Sequence, residues 1–183
     1  MKTAILSAAA LLLLAPLAAQ ADDFDYNFGE ASLVSMSPAH DGSSMTGASV
    51  DGSYAFTNQV HGIAGFQHVS CCDIGQNTLD LGGGWNTKLA DPVGLFVDGE
   101  FLSVNQSGQG SHTGWGAIGG LRAWLAPRFE LDGTVSHTDI NSNTENTLGV
   151  RGFYTVDFHW QIFAGYANNS GADTFMLGAR YTF

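Results

Sequence analysis

Hydrophobic and polar residues alternate with a period of two through most of this chain. The last ten residues, TFMLGARYTF, set Phe175, Leu177, Ala179, Tyr181 and Phe183 against Thr174, Met176, Gly178, Arg180 and Thr182. Successive side chains of a strand point to opposite faces, so this repeat predicts a β-strand with one apolar and one polar face. TLDLGGGWN places Leu79, Leu81 and Trp85 opposite Asp80, Gly82 and Asn86, and VGLFVDGEF places Val93, Leu95, Val97 and Phe101 opposite Asp98 and Glu100. FELDGTVSH separates Phe129, Leu131 and Val135 from Glu130, Asp132, Thr134 and Ser136, and WQIFAGY aligns Trp160, Ile162, Ala164 and Tyr166. After residue 21 no segment carries a 3.6-residue repeat. The pattern predicts ten strands, at 24–36, 45–56, 60–69, 77–89, 93–104, 112–125, 129–138, 146–156, 159–167 and 174–183. Eight is the alternative if the first or second run is misread.

Short polar breaks at 57–59, 90–92, 126–128 and 157–158 alternate with longer ones at 37–44, 70–76, 106–111, 139–145 and 168–173. Each predicted run is near the 9–11 residues with which a tilted strand crosses the hydrocarbon of a bilayer. No water is present there to satisfy an open strand edge, so an all-strand chain in lipid must close into a barrel. The expected fold is therefore all-β, a single transmembrane antiparallel up-and-down barrel over 22–183. Its last strand pairs with its first, with apolar residues toward lipid and polar ones toward the lumen. Tight turns at one end and longer loops at the other are the usual asymmetry of such barrels. Tyr26, Tyr54, Trp85, Trp115, Tyr154, Trp160, Tyr166 and Tyr181 are the expected members of the interfacial aromatic girdles.

Composition narrows the compartment. Residues 1–21 combine Lys2, an apolar stretch from Ala4 to Leu14 and the small-x-small site Ala19-Gln20-Ala21, the three parts of a secretory signal peptide, with cleavage expected after Ala21. Without Lys2, 17 acidic residues face five basic ones, a net charge of −12 against −11 for the whole chain. A nucleic-acid partner is excluded, because it would need a basic footprint. Charged residues make up 13 %, about half the soluble average of about 25 %. A soluble β-sandwich or lipocalin-like barrel would also alternate, but it would show more charge to water.

The signal peptide, the repeated amphipathic strands and the closing strand FMLGARYTF, ending on Phe183, resemble the small outer-membrane β-barrel proteins of Gram-negative bacteria. That group includes the OmpA transmembrane domain, OmpX and small porin-like barrels. The resemblance covers the whole mature chain in architecture and includes no internal motif. The best-known small members have eight strands, against ten expected here. The resemblance implies an integral outer-membrane protein. The even strand count places both termini on one side, expected to be the periplasm, and a barrel that uses the whole mature chain leaves no appended domain expected. The resemblance also implies outer-membrane lipid and lipopolysaccharide as surroundings. The barrel-assembly machinery is the implied partner in biogenesis, reading Tyr181 and Phe183 as an assembly signal.

The inner face then gathers Asp51, Asp80, Asp98, Glu100, Glu130 and Asp132 with Arg122, Arg151 and Arg180. Two readings stay open. One is a structural plug in which buried charges satisfy one another. The other is a narrow polar conduit, slightly cation-selective because acids outnumber arginines. In SCCDIG, Cys71 and Cys72 lie near His68 and Asp73 on an expected external loop, a donor set that suits a soft or borderline metal. The cluster lacks the paired spacing of a zinc site, and an oxidised or idle cysteine pair is the plainer reading. No metal or cofactor is expected.

VSHTDINSN offers Ser136, His137, Asp139 and Ser142 near the rim. Neighbouring strand residues point apart, so Ser136 and His137 cannot form a nucleophile–base pair. His137 with Ser142, or His68 with Asp139, are the remaining combinations, and no motif supports them. The expected outer loops carry Asp41, Asp73, Asp139, Glu145 and Asp173. These acids keep the loops solvated, or take divalent cations beside lipopolysaccharide. The expected role is a non-enzymatic envelope protein, structural or surface-interacting, whose extracellular ligand the sequence does not name. A narrow porin-like channel is the alternative, and a rim-located lipid- or peptide-modifying enzyme is the third reading.

Overall fold

Ten amphipathic strands can hide their backbone from lipid only by closing on themselves. In a computed structural model that describes residues 24–38, 43–72, 74–108 and 110–183, they form one closed antiparallel barrel. The strands are β1 (Phe28–Pro38), β2 (Met45–Ala55), β3 (Val60–Cys71), β4 (Ile74–Ala90), β5 (Val93–Gln106), β6 (Gly110–Ala126), β7 (Phe129–Ile140), β8 (Asn143–Thr155), β9 (Trp160–Asn169) and β10 (Ala172–Thr182). Each pairs with its neighbours in sequence, and β1 pairs with β10 from Phe28↔Thr182 to Pro38↔Ala172. Ten strands, not eight, make the wall. The expected signal peptide, residues 1–21, lies outside the described residues.

The faces follow the alternation. Leu33, Leu177 and Val135 are 60–68 % exposed toward the lipid side, whereas Glu130 and Asp132 are 1 % exposed and Arg180 is 2 % exposed inside. Strands about 4.8 Å apart and tilted about 40° give ten of them a backbone diameter of about 20 Å. Long side chains from opposite walls can therefore meet. The inner face also holds apolar residues, since Val34, Val69, Phe96, Leu102, Phe153 and Phe163 are all buried. Inward apolar positions break the simple rule of polar inside, and two of the aromatic ones, Phe153 and Phe163, pack against arginines.

Two expectations are corrected. The end opposite the termini carries no set of long loops. Apart from 39–44, its connections span only 72–73, 107–109, 141–142 and 170–171, no longer than the turns 56–59, 91–92, 127–128 and 156–159 at the terminal end. The polar runs read as loops are mostly strand, because polarity marks where the wall leaves lipid and not where backbone pairing stops. At about 3.3 Å per residue and this tilt, the 17-residue strands β4 and β6 rise about 43 Å, beyond an apolar band about 25 Å tall. Asn141 and Ser142, at φ 52° and 66°, close the β7–β8 hairpin with two left-handed residues, as the twist of a two-residue hairpin requires.

The second correction concerns the chain start. Residues 24–27 do not extend β1 but precede it, and Tyr26, expected in an aromatic girdle, is 8 % exposed inside the barrel. The other seven expected girdle residues are exposed on the outer face.

Candidate functional site in the barrel lumen

Register brings opposite charges face to face. Glu30 on β1 stands directly across from Arg180 on β10, Arg122 on β6 across from Asp132 on β7, and Asp132 across from Arg151 on β8. Cross-strand neighbours of opposite charge are the sheet's natural pairs. Arg180 donates from Nε to Glu30 Oε1 at 2.5 Å, and its Nη2 also contacts that oxygen. Arg151 bridges Glu30 Oε2 at 3.1 Å and Asp132 Oδ2 at 3.3 Å. Arg122 grips Glu130 Oε1 through Nε and Nη2, both at 2.6 Å, and Gln161 donates to the other oxygen of Glu130 at 3.4 Å. Rings complete the shell, with Arg180 4.2 Å from the Phe28 centroid and 4.0 Å from that of Phe153, and Arg151 5.1 Å from Phe153. A buried charge is tolerable only when paired and hydrogen-bonded. Here three arginines and three carboxylates meet that condition together.

The wall formed by β2 to β5 differs. His61 on β3 sets one ring nitrogen 3.1 Å from Asn86 Oδ1 and the other 3.0 Å from Asp98 Oδ1. Toward the far end the same wall carries Glu100, Asp80 and Asp51. Asp51 accepts from Ser49 at 2.8 Å. Asp51 and Asp80 flank Gly65, where a Cβ would lie 2.5–2.6 Å from their carboxylate oxygens. The glycine leaves the room into which both acids lean. Among the described residues no basic side chain forms an ion pair with Asp51, Asp80 or Glu100. The lumen is thus split between a neutralised, packed half and an acidic half whose carboxylates Asp51, Asp80 and Glu100 are only half-buried.

All nine charged residues expected in the lumen face inward. Glu30, which belongs to the same network, was not among them. In FGEASLVSM the alternation is weak, since Val34 points in and Ser35 out, and the strand's phase is hard to read. His61 was missed as well, because apolar neighbours on both sides mask its face.

The other candidate groups stay apart. Cys71 and Cys72 are joined in a vicinal disulfide, so neither offers a thiolate here. His68 is exposed and bonds Asn77 at 2.7 Å, and Asp73 lies outside the described residues. Among the described residues no three His, Cys, Asp or Glu side chains form a group able to hold a metal. His137 points outward, bonds Asn146 Oδ1 at 2.8 Å and leans on Trp115 at 5.5 Å, while Ser136 points inward on the same strand. His68 on β3 and Asp139 on β7 are four strands apart on the outer wall and cannot cooperate. Tyr181 packs against Trp160 at 5.0 Å, and Phe183 is 62 % exposed beside the end of β10.

By its closed antiparallel barrel with an apolar outer face, the chain shares the fold of small outer-membrane β-barrels. Among solved structures the chain is similar to the β-domain of the Bordetella autotransporter BrkA, with 12 % identity over 87 % of this chain and 100 % of that one and a TM-score of 0.55. It is similar to an outer-membrane channel from Pseudomonas putida F1 (10 % identity, 92 % and 100 % covered, TM-score 0.54) and to the KdgM porin (13 %, 84 % and 99 %, 0.52). At these identities the likeness is one of fold alone. No family model matches the chain, and no curated protein does.

Proposed function

We propose that this chain is a non-enzymatic integral protein of the outer membrane, with its termini toward the periplasm and its lumen closed at rest. The observation that carries this reading is the dry terminal half of the lumen. Phe153 is 0 %, Glu130 and Asp132 are 1 %, and Arg180 is 2 % exposed, so side chains and not water fill that level. A filled small barrel supports an envelope role, structural or presenting its far rim to a partner, rather than a constitutively open pore. The separation of His137 from Ser136 and of His68 from Asp139 argues against a rim enzyme.

A porin-like channel is the second reading, favoured by the unpaired acids Asp51, Asp80 and Glu100. The fold's likeness to a porin and a channel is compatible with it. Seven lumenal acids, Glu30, Asp51, Asp80, Asp98, Glu100, Glu130 and Asp132, face three arginines, a formal balance of −4, so this reading specifies cations. The test is single-channel recording of the barrel folded from residues 22–183, with heat-modifiable gel mobility as proof of folding. Silence in a folded barrel supports the closed lumen, and steady cation-favouring current supports the channel and overturns it.

A further inference from the structure

Residues 24–27 lie inside the mouth at the terminal end. Arg122 sits between two of their rings, 5.0 Å from the Phe24 centroid and 4.9 Å from that of Tyr26, and its Nη1 donates to the Asp25 carbonyl at 3.1 Å. Tyr26 stacks on His61 at 4.5 Å, and Phe24 lies parallel to Trp124 at 6.2 Å. Gly94 on β5 forms the seat of Phe24, since a Cβ there would come within 2.7 Å of the ring. At the end of the segment, Asn27 accepts from the Ala55 amide through Oδ1 at 3.0 Å and from the Phe183 amide through its carbonyl at 3.2 Å.

What this segment fills decides its role. The arginine–carboxylate network belongs to β1, β6, β7, β8 and β10 and packs that side of the cross-section. In front of the opposite wall, at His61 and Gly94, the filling comes from Tyr26 and Phe24. That is the wall whose acids, Asp98, Glu100, Asp80 and Asp51, continue toward the far end. The seat is built from stacking, one cation sandwiched between rings, and one main-chain hydrogen bond, none of them covalent. Phe24 and Tyr26 can leave it while Asn27 stays pinned as a hinge.

We propose that Phe24–Tyr26 is a gate. Seated, it closes the terminal mouth; withdrawn, it joins the acid-lined wall of β2–β5 to the compartment on that side and opens a path for small cations. The proposal rests on the closed-at-rest reading above and adds the element that releases it. Anions are disfavoured on this path, because Asp51, Asp80 and Glu100 form no ion pair with a basic side chain among the described residues.

The test compares, in planar bilayers under a KCl gradient, the barrel folded from residues 22–183 with two variants. Phe24→Ala/Tyr26→Ala empties the seat, and Gly94→Val fills it from the wall side and expels Phe24. Heat-modifiable mobility establishes folding of each before recording. The expected result is a nearly silent parent, with discrete openings in either variant that raise the open fraction about tenfold or more and a reversal potential that favours K⁺. Folded variants as silent as a silent parent overturn the gate and leave the closed lumen standing. Openings that favour Cl⁻ overturn the cation path. A parent that conducts steadily, with unchanged variants, overturns the closed lumen and the gate together.

Discussion

Removing the Glu30 carboxylate should unlock the seam at which the barrel closes. Glu30 on β1 faces Arg180 on β10 and also receives Arg151. In Glu30→Ala, Arg151 keeps Asp132 at 3.3 Å, but Arg180, 2 % exposed, is left with no carboxylate closer than Glu130 at 3.9 Å. Stripping one partner from a buried pair costs about 3–5 kcal/mol, because the remaining charge is neither hydrated nor compensated. The rings of Phe28 and Phe153 beside Arg180 are present in both proteins and do not change the difference. We therefore expect a loss of about 4 kcal/mol, close to a thousandfold in the folding equilibrium. Replacing both members, Glu30→Leu with Arg180→Met, leaves no orphaned charge and should cost about 1 kcal/mol or less. Urea titration of barrels refolded into lipid vesicles, followed by the emission of the four tryptophans, measures both. A single variant within about 1 kcal/mol of the parent, or a double as damaged as the single, would refute the claim that this pair is needed because it is buried.

Two other predictions concern different parts of the molecule. Leu177, 63 % exposed at the middle of β10, should lose about 2–4 kcal/mol in the same titration when replaced by arginine, as expected for a cation at the bilayer midplane; an unaffected midpoint would mean that this face does not meet hydrocarbon. In the 156–159 turn, Asp157 accepts from the amides of His159 at 2.8 Å and Trp160 at 3.1 Å, which hold its carboxyl below the ordinary value of 3.8. A depressed carboxyl contributes stability above its unfolded value and loses it as the pH falls through the folded one. The stability gap between the parent and Asp157→Ala should thus be constant at neutral pH and close below 3.8, and a gap that persists in acid would show that the stabilisation does not come from the ionised carboxylate.

The barrel is legible in the sequence because lipid makes the alternation nearly complete, as Leu177 and Arg180 on one strand show. Facing is a local property, so every lumenal charge named from the pattern points inward. Partnership is not local. Whether Arg180 meets Glu30 or Glu130 depends on register, which turns and strand lengths fix together. Loops were over-read at 70–76 and 106–111 because polar residues on a wall beyond the bilayer look like loop residues. The gate had a faint signal. Phe24, Tyr26 and Phe28 are apolar at even positions, whereas the lipid-facing residues of β1, such as Ala31 and Leu33, are odd. That change of phase marks rings that turn inward, and a count of alternation alone passes over it.

Unequal wall height has one further result. Closing a sheet removes its edges only where neighbouring strands are equally tall. The ladder between β6 and β7 begins at Gly114↔Ile140, while the ladder between β5 and β6 continues up to Gln106↔Gly110. Residues 110–113 therefore stand above β7 with one row of main-chain donors and acceptors unmatched among the described residues. A closed cylinder thus carries, at its far rim, a four-residue open border to which an incoming extended segment could add as one more strand. Its residues, Gly-Ser-His-Thr, offer no large apolar side chain to make such an addition sticky, so any adhesion there would be governed by backbone complementarity rather than by greasiness.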